Sequence, residues 1–256
     1  MKKLALVMTI IMALTLMFGC TNNFMSDNEM IKLTKNPEAS MTLTYTDKND
    51  VVKTFTMVYE LHYEKAPITV TNFVNLIQEK FYNDSLIHYS NVSTSSYDNI
   101  HYIEGGAYKK TKDEKIVEAI NKKYTIKGEF KANEWKKNDL VHTIGNLVMD
   151  RTSGANGFDT ASTMFYICLS DHNKRDGNYA VFGTLKGMSG KIGEQVIPMQ
   201  DEIISTFLSD MASMTLTQSV TDKDDNSFKI PTYTIAISMT VDTFGTTFPS
   251  AKTIKK

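Results

Sequence analysis

Cysteine, proline and tryptophan are scarce in this chain, which has two, five and one of them among 256 residues. Two cysteines cannot build a framework of several disulfides, and they supply too few thiolates for a cysteine-based zinc site. The formal net charge is only −1, so the positive excess that attracts nucleic acid is missing. We therefore expect no nucleic-acid partner and no bound metal.

Long apolar runs are also scarce, and the clearest one lies at the N-terminus. Lys2 and Lys3 precede uncharged residues from Leu4 to Phe18, a run too short for a permanent transmembrane helix and typical of a secretory signal. The letters LMFGC, which end at Cys20, resemble a bacterial lipobox, whose cysteine is acylated and becomes the new N-terminus. We predict a lipoprotein signal peptide over residues 1–19 and an extracytoplasmic protein anchored to the cell membrane through Cys20. An ordinary signal peptide and a weak membrane anchor are the alternatives.

The remaining chain divides into a tether, one domain and a tail. Residues 20–38 are polar and lack a sustained period, which predicts a flexible tether. The domain is predicted over 39–245 and the C-terminal tail over 246–256. The domain opens and closes with apolar residues at every second position, which predicts a hairpin over 41–63 and a last strand over 233–241. Cys168, between apolar neighbours, is predicted to be buried and inert.

Two segments follow the helical period instead. Pro67 suits the first position of a helix, and an apolar stripe follows it at Val70, Phe73, Val74 and Ile77. A second helix is predicted over 200–211. Two helices among many short strands favour a β-barrel or sandwich whose openings the helices cover. We also predict a short surface helix over 109–123 and a charged loop that begins at Thr221.

Three stretches carry motifs in a specific order. They are YELHYEKAPITVTNFVNLIQEKFYND from Tyr59, IHYIEGGAYK from Ile100, and HTIGNLVMDRTSGANGFDTASTMFYICLSDHNKRDGNYAVFGTLKGM from His142. They resemble the cyclophilin family of peptidyl-prolyl isomerases, whose members read AP-x-T-x-x-NF, FHR, QGGD, G-x-x-SMAR, SQFFI and LDG-x-x-x-FG at the corresponding places. The resemblance covers about residues 41–245 and implies a mainly β fold, a closed eight-stranded antiparallel barrel capped by two α-helices.

The same resemblance implies a binding site for proline-containing peptides, with several positions changed. Tyr89 stands at the arginine of FHR, Glu104 at the glutamine of QGGD, and Arg151 at the arginine of SMAR. We predict these three as the catalytic set. The predicted substrate-binding residues are Tyr102, Met164, Phe165, Tyr166, Arg175 and Tyr179. The resemblance implies no cofactor.

The changed positions bear directly on the chemistry. Rotation about the bond before proline is slow because amide resonance sets a barrier of roughly 18–20 kcal/mol. Catalysis needs a slot for the proline ring and a hydrogen-bond donor that favours the twisted amide. Tyr89 offers one neutral hydroxyl where the family has a guanidinium, and an ionised Glu104 donates nothing. Since a lost transition-state donor costs about 2.7–4 kcal/mol, we expect weakened activity. Arg151 is either a relocated catalytic cation or a residue of the groove rim.

Three functions therefore stay open. The first is a monomeric, membrane-anchored isomerase that assists the folding of exported proteins. The second is a non-catalytic module that holds a prolyl peptide or another partner with Tyr89, Tyr102, Tyr166 and Tyr179, because tyrosines give contact area at low entropic cost. The third is a structural surface lipoprotein with no affinity for prolyl peptides.

Overall fold

A closed barrel of eight antiparallel strands forms the centre of the molecule. The computed structural model describes residues 24–26, 28–92, 101–110, 116–120, 122–197, 201–212, 216–222, 227–231, 233–251 and 253–255. Around the barrel the order is β4 (Tyr102–Lys110), β3 (Ser85–Asn91), β13 (Ile235–Asp242), β1 (Glu38–Thr46), β2 (Val52–Leu61), β9 (Ala180–Ile192), β7 (Leu147–Met149) and β8 (Phe165–Cys168). The strand β8 pairs again with β4 and closes the ring. The fold predicted from the sequence is confirmed.

The described residues contain fourteen strands and two α-helices. The strands are β1 Glu38–Thr46, β2 Val52–Leu61, β3 Ser85–Asn91, β4 Tyr102–Lys110, β5 Ile116–Ala119, β6 Tyr124–Ile126, β7 Leu147–Met149, β8 Phe165–Cys168, β9 Ala180–Ile192, β10 Gln195–Ile197, β11 Leu216–Asp222, β12 Ser227–Pro231, β13 Ile235–Asp242 and β14 Thr253–Lys255. The helices are α1 Pro67–Gln78 and α2 Asp201–Ala212. The predicted hairpin, last strand and both helices are all present. Neither α1 nor α2, the helices of the described chain, has the length and apolar composition needed to cross a bilayer.

The barrel interior is built by residues at every second position. Along β1, Met41 and Leu43 are buried while the intervening threonines are half-buried on the outer side. Pairing of Leu43 with Phe55 and of Met41 with Met57 continues this layer across β2. A shift of one residue would turn every apolar side chain outward, so burial fixes the register.

The two helices cover opposite ends of the barrel. Phe73 of α1 contacts Phe165 and Phe182, with ring centroids 5.8 and 4.9 Å away. Phe207 of α2 meets Phe55 edge to face at 5.2 Å, near the other end of β2 and β9. Each helix therefore supplies the apolar side chains that fill one opening of the barrel.

Glu129 anchors the start of α1. Ala66, the residue before the helix, has no capping side chain, and Pro67 has no N–H to satisfy. The two oxygens of the buried Glu129 carboxyl accept the backbone N–H groups of Ile68 and Thr69, at 2.9 and 2.8 Å. A residue about sixty positions away in the chain thus does the work of a local helix cap.

A three-strand extension beside β4 corrects two predictions. The region predicted as a short surface helix contains the strand β5, which pairs with β4 and lies parallel to β11. β-branched Ile116 and Val117 favour a strand, and the edge of β4 offers the backbone groups to pair with. The predicted charged loop contributes residues at both ends to strands, Thr221 to β11 and Ser227 to β12, and its centre over 223–226 lies outside the described residues.

The region for which a tether is predicted makes contacts with the domain. Met25 is 8% exposed and belongs to the core cluster. Phe24 lies 5.0 Å from the ring of Trp135, and the side-chain amide of Asn36 donates to Glu60 at 2.9 Å. The contacts of the domain therefore extend N-terminal to the predicted boundary at 39. The predicted signal peptide and Cys20 lie outside the described residues.

Candidate functional site

The candidate site lies on the outer face of β4, β8 and β7. Glu104 pairs with Tyr166, and Tyr166 pairs with Val148, so these three residues form one row across the strands. Side chains two positions apart along a strand share a face, which adds Tyr102 and Cys168 to the same surface. Tyr102, Val148, Tyr166 and Cys168 form, with Val181, a small apolar cluster that is separate from the barrel core.

The four predicted tyrosines meet on this face. The ring centroids of Tyr89 and Tyr102 are 6.0 Å apart, those of Tyr102 and Tyr166 5.1 Å, and those of Tyr166 and Tyr179 5.9 Å. Tyr166 is fully buried and Tyr102 is 7% exposed, whereas Tyr89 and Tyr179 are half-buried. The four residues, named here the tyrosine cluster, therefore form a continuous aromatic surface.

The guanidinium of Arg175 covers this cluster. Its Cζ lies 4.6 Å from the ring centroid of Tyr102, 5.1 Å from that of Tyr179 and 5.4 Å from that of Tyr166. Nη2 of Arg175 also donates a hydrogen bond to Tyr102 Oη at 3.3 Å. A cation over an aromatic face contributes about 0.5–2 kcal/mol. Arg175 therefore lies over the rings on which a proline ring is expected to bind.

A series of hydrogen bonds through His142 to Asp176 fixes the side chain of Tyr166. Its hydroxyl lies 2.9 Å from Nε2 of His142, and Nδ1 of His142 lies 2.6 Å from Oδ1 of Asp176. Burial lowers the pKa of His142, although Asp176 raises it, and a neutral ring fits this geometry. Nδ1–H then donates to Asp176 and Nε2 accepts the Tyr166 O–H. These hydrogen bonds satisfy a buried hydroxyl and hold the ring in one orientation.

Glu104 is flanked by features that hold it close to the barrel. A Cβ on Gly105 would lie 2.7 Å from Ile237 and 2.9 Å from Phe165, so only glycine lets β4 approach the core there. The side chain of Glu104 is 16% exposed, and its Oε2 lies 3.8 Å from Nε2 of His88.

The burial of Glu104 affects its protonation state. Burial and, to a smaller extent, the Asp150 carboxyl raise the pKa of Glu104 to about 8, against the opposing effect of the Arg175 charge. Burial also raises the pKa of Asp150, against the backbone N–H of Arg151 and the charges of Arg175 and Arg151. Burial therefore favours the uncharged acid form of Glu104, which has one O–H donor. The expectation from the sequence concerned the ionised carboxylate, which donates no hydrogen bond.

Arg151 is committed to the backbone around it. It is 8% exposed; Nε donates to the carbonyl of Asn178 at 3.0 Å, and Nη1 donates to the carbonyls of Thr152 and Gly154 at 2.7 and 3.0 Å. Its Cζ lies 4.3 Å from the ring centroid of Tyr179. These contacts join the loop after β7 to the loop before β9, which is the behaviour of a positioning residue.

Two other predicted residues fall on different sides of the segment that contains β8. Met164 precedes β8 by one residue, and its carbonyl accepts the N–H of Asp150 at 3.0 Å, beside the site. Phe165 is fully buried in the barrel interior against Phe73 and Tyr82. The period of two along a strand turns it away from Tyr166, so the structure does not bring Phe165 to the tyrosine cluster.

Asp150 and the pair of His142 with Asp176 were not predicted as parts of the site. Their signal in the sequence was indirect: Tyr166 stands at a family phenylalanine position, and a buried hydroxyl needs a polar partner. The described residues hold no group of three His, Cys, Asp or Glu side chains placed to share a metal ion.

Comparison with known proteins agrees with the motifs. A family model described as cyclophilin type peptidyl-prolyl cis-trans isomerase/CLD matches residues 50–193. The chain is 33% identical over 135 residues to a peptidyl-prolyl cis-trans isomerase of Acinetobacter baylyi, and the match covers 50% of this chain and 61% of that protein. It is 27% identical over 150 residues to peptidyl-prolyl cis-trans isomerase A of Dickeya dadantii, with 56% and 67% covered. The matched part is thus about two thirds or less of the length of these curated relatives.

Solved structures that resemble this one include two cyclophilins. The crystal structure of a cyclophilin type peptidyl-prolyl cis-trans isomerase from Cryptosporidium parvum has a TM-score of 0.45 at 18% identity, covering 79% of this chain and 98% of that one. The Mimivirus cyclophilin has a TM-score of 0.46 at 17% identity, covering 87% and 98%. Because the family model matches more than half of the 256 residues, the chain belongs to the family of cyclophilin-type peptidyl-prolyl cis-trans isomerases.

Proposed function

We propose that this protein is a peptidyl-prolyl cis-trans isomerase that acts on prolyl segments of exported proteins while a lipid on Cys20 holds it at the membrane. The observation that carries the proposal is the convergence of Tyr89, Tyr102, Glu104 and Tyr166 on one outer face of a cyclophilin barrel. The family match supports the same activity.

The groups on this face provide some of the hydrogen-bond donors that catalysis of amide rotation needs. A twisted prolyl amide regains the lone pair on nitrogen and no longer shares it with the carbonyl, so nearby N–H or O–H donors stabilise it. The uncharged form of Glu104 supplies an O–H, and Tyr89 supplies another. Neither equals a guanidinium, which presents five donors in a fixed fork. We therefore propose catalytic power below that of a site with arginine at position 89.

The test is an isomerisation assay on an Ala-Pro peptide with the full chain in detergent. We expect turnover above the uncatalysed rate, and a gain of about 100-fold or more in Tyr89→Arg, since one well-placed donor is worth roughly that much. A Tyr89→Phe variant, which removes only the hydroxyl, is the matched control and should fall below the wild type. Turnover equal to the uncatalysed rate in the wild type would reject the enzymatic proposal.

A non-catalytic binding module is the second candidate. The position of Arg175 over the tyrosine cluster favours it, because a proline ring must displace this side chain before it can lie on Tyr166. This candidate expects a prolyl peptide to bind without turnover. Fluorescence anisotropy and the isomerisation assay on the same peptide separate the two functions.

A further inference from the structure

Arg175 is the side chain that covers the tyrosine cluster. Arg175 lies in the loop between β8 and β9 and is half-buried. The rings beneath it are held rigidly, since Tyr166 is bound by His142 and fully buried. An arginine side chain has four rotatable bonds, and losing this freedom on the rings costs about 2 kcal/mol of rotamer entropy. In any opening of the slot, Arg175 is therefore the part that must move.

A cavity beside the cluster can receive the displaced guanidinium. It has a volume of about 380 Å³ and is lined by Arg175 and Tyr179 together with Arg151, Lys174, Phe158 and Asn178. None of the described residues that line it is acidic, while three of them are cationic. The cavity therefore complements a negatively charged group.

The carboxylate of Asp176, the residue after Arg175, accepts hydrogen bonds from the backbone N and from Nδ1 of His142, at 2.8 and 2.6 Å. Two further carboxyl groups interact with Arg175 and are buried. They belong to Glu104 and Asp150, and burial raises the pKa of each of them. A carboxyl in its acid form leaves the guanidinium without a full counter-ion on this side. Tyr102 and Tyr166, two of the rings beneath Arg175, are phenols whose pKa values burial also raises.

We infer that Arg175 makes the site selective for prolyl segments that carry an aspartate or glutamate close to the proline. The carboxylate of such a segment pairs with the guanidinium at the cavity, and the pair replaces the contacts that Arg175 loses when it leaves the rings. The uncovered tyrosine cluster then receives the proline ring. A neutral segment must displace Arg175 without this compensation and binds more weakly. The inference rests on the proposed function, since it names the substrate class of the same site.

Binding of matched peptides tests the inference. The probes are labelled peptides with a single Ala-Pro bond, made in pairs. The two peptides of a pair differ at one position, where one carries glutamate and the other glutamine. This position is moved in turn through the three residues before the Ala-Pro dipeptide and the three after it. Anisotropy is measured with the full chain in detergent. We expect at least one glutamate peptide to bind roughly 10- to 100-fold more tightly than its glutamine partner, the range for one charge-assisted contact. Added salt should reduce this ratio.

Two variants assign the preference to Arg175. In Arg175→Leu the ratio should fall to about one, and the glutamine peptide should bind at least as tightly as it does to the wild type, because the rings are uncovered. Lys48→Leu removes one positive charge from the exposed turn between β1 and β2 and should keep the ratio. Thermal unfolding of each variant verifies that it is folded.

The outcomes separate this inference from the proposed function. Equal binding of glutamate and glutamine peptides by the wild type overturns the selectivity. So does a result in which the wild type binds neither kind of peptide while Arg175→Leu binds both. A preference that survives in Arg175→Leu assigns the selectivity to another cation and overturns the role of Arg175. If neither the wild type nor Arg175→Leu binds any peptide, the proposed function itself is rejected.

Discussion

At the scale of single residues, the site differs from the family pattern by substitutions that depend on one another. A hydroxyl on Tyr166 requires a partner, and His142 with Asp176 provides it. A carboxyl at Glu104 next to Asp150 is stable in a buried position because at least one of the two retains a proton. The motif positions could be predicted from the sequence, but these pairings depend on distances across strands that no local pattern encodes.

Replacing Glu104 with glutamine should flatten the pH dependence of stability. The folded pKa of about 8 exceeds the ordinary value of 4.5, so the folded state binds more protons between these values. The free energy of unfolding should therefore fall as pH rises from about 4.5 to 8, by at most about 1.4 kcal/mol per pH unit for one group. Glutamine does not titrate, so the slope should decrease in Glu104→Gln, as measured by urea unfolding at several pH values.

Other groups around this carboxyl make the comparison with the wild type essential. Asp150, Arg175 and His88 also face Glu104, and the charges of Glu104 and Asp150 influence each other's titration, so the slope of the wild type reports on the pair. Exposed Glu64 serves as the control, since Glu64→Gln should keep the slope. Equal slopes in Glu104→Gln and the wild type would contradict the raised pKa.

Replacing Arg151 with alanine should weaken the fold more than the chemistry. The carbonyls of Thr152, Gly154 and Asn178 lose a charged donor, and we expect a loss of roughly 2–3 kcal/mol in the free energy of unfolding. Turnover per folded molecule, measured well below the melting temperature, should stay close to that of the wild type. A collapse of turnover without loss of stability would instead favour Arg151 as the relocated cation.

At the scale of helices and strands, local periodicity predicts the elements whose formation depends on residues close together in the chain. Pro67 and the apolar stripe after it place α1 correctly, and alternation places β1, β2 and β13. The region of β5 was predicted as helix because its charged residues surround three apolar ones. Its strand depends on β4 and on β11, and β11 lies about a hundred residues further along the chain. The β-branched Ile116 and Val117 suit a strand, but the strands that pair with this segment cannot be identified from the local pattern.

The start of α1 offers a test at this scale. Glu129→Ala leaves the N–H groups of Ile68 and Thr69 buried without partners, and we expect a loss of about 2–3 kcal/mol in the free energy of unfolding. Hydrogen exchange should accelerate most in the first turn of the helix. Glu64→Ala, an exposed change just before the helix, should alter stability by less than about 0.5 kcal/mol. Similar losses in both variants would refute the capping role.

At the scale of the whole molecule, the sequence predicted the architecture because many motifs agree on it. Strands at both ends of the domain, two helices and retained glycines are all consistent with one closed barrel. The cover over the tyrosine cluster could not be predicted in the same way. Arg175 becomes a neighbour of the tyrosine rings only in the folded structure. The direction of its long, flexible side chain depends on all the groups around it.

Membrane attachment stays a prediction from the first twenty residues. Each buried methylene of an acyl chain contributes about 0.8 kcal/mol, so two or three chains on Cys20 suffice for firm anchoring. We expect the wild-type chain in the membrane fraction of a bacterial host, labelled by a radioactive fatty acid. Cys20→Ser should lose the label and stay unprocessed, whereas Cys168→Ser should keep it. Equal labelling of Cys20→Ser and the wild type would disprove the assignment.

The buried thiol of Cys168 gives the molecule a built-in reporter. It lies on β8 two residues from Tyr166 and is fully buried, and burial raises its pKa to about 12. A disulfide reagent can therefore reach it only after β8 separates from its neighbours. Its rate of modification in dilute denaturant can be compared with the loss of the circular dichroism signal. The comparison would show whether β8 separates from its neighbours by local opening or only when the entire barrel unfolds.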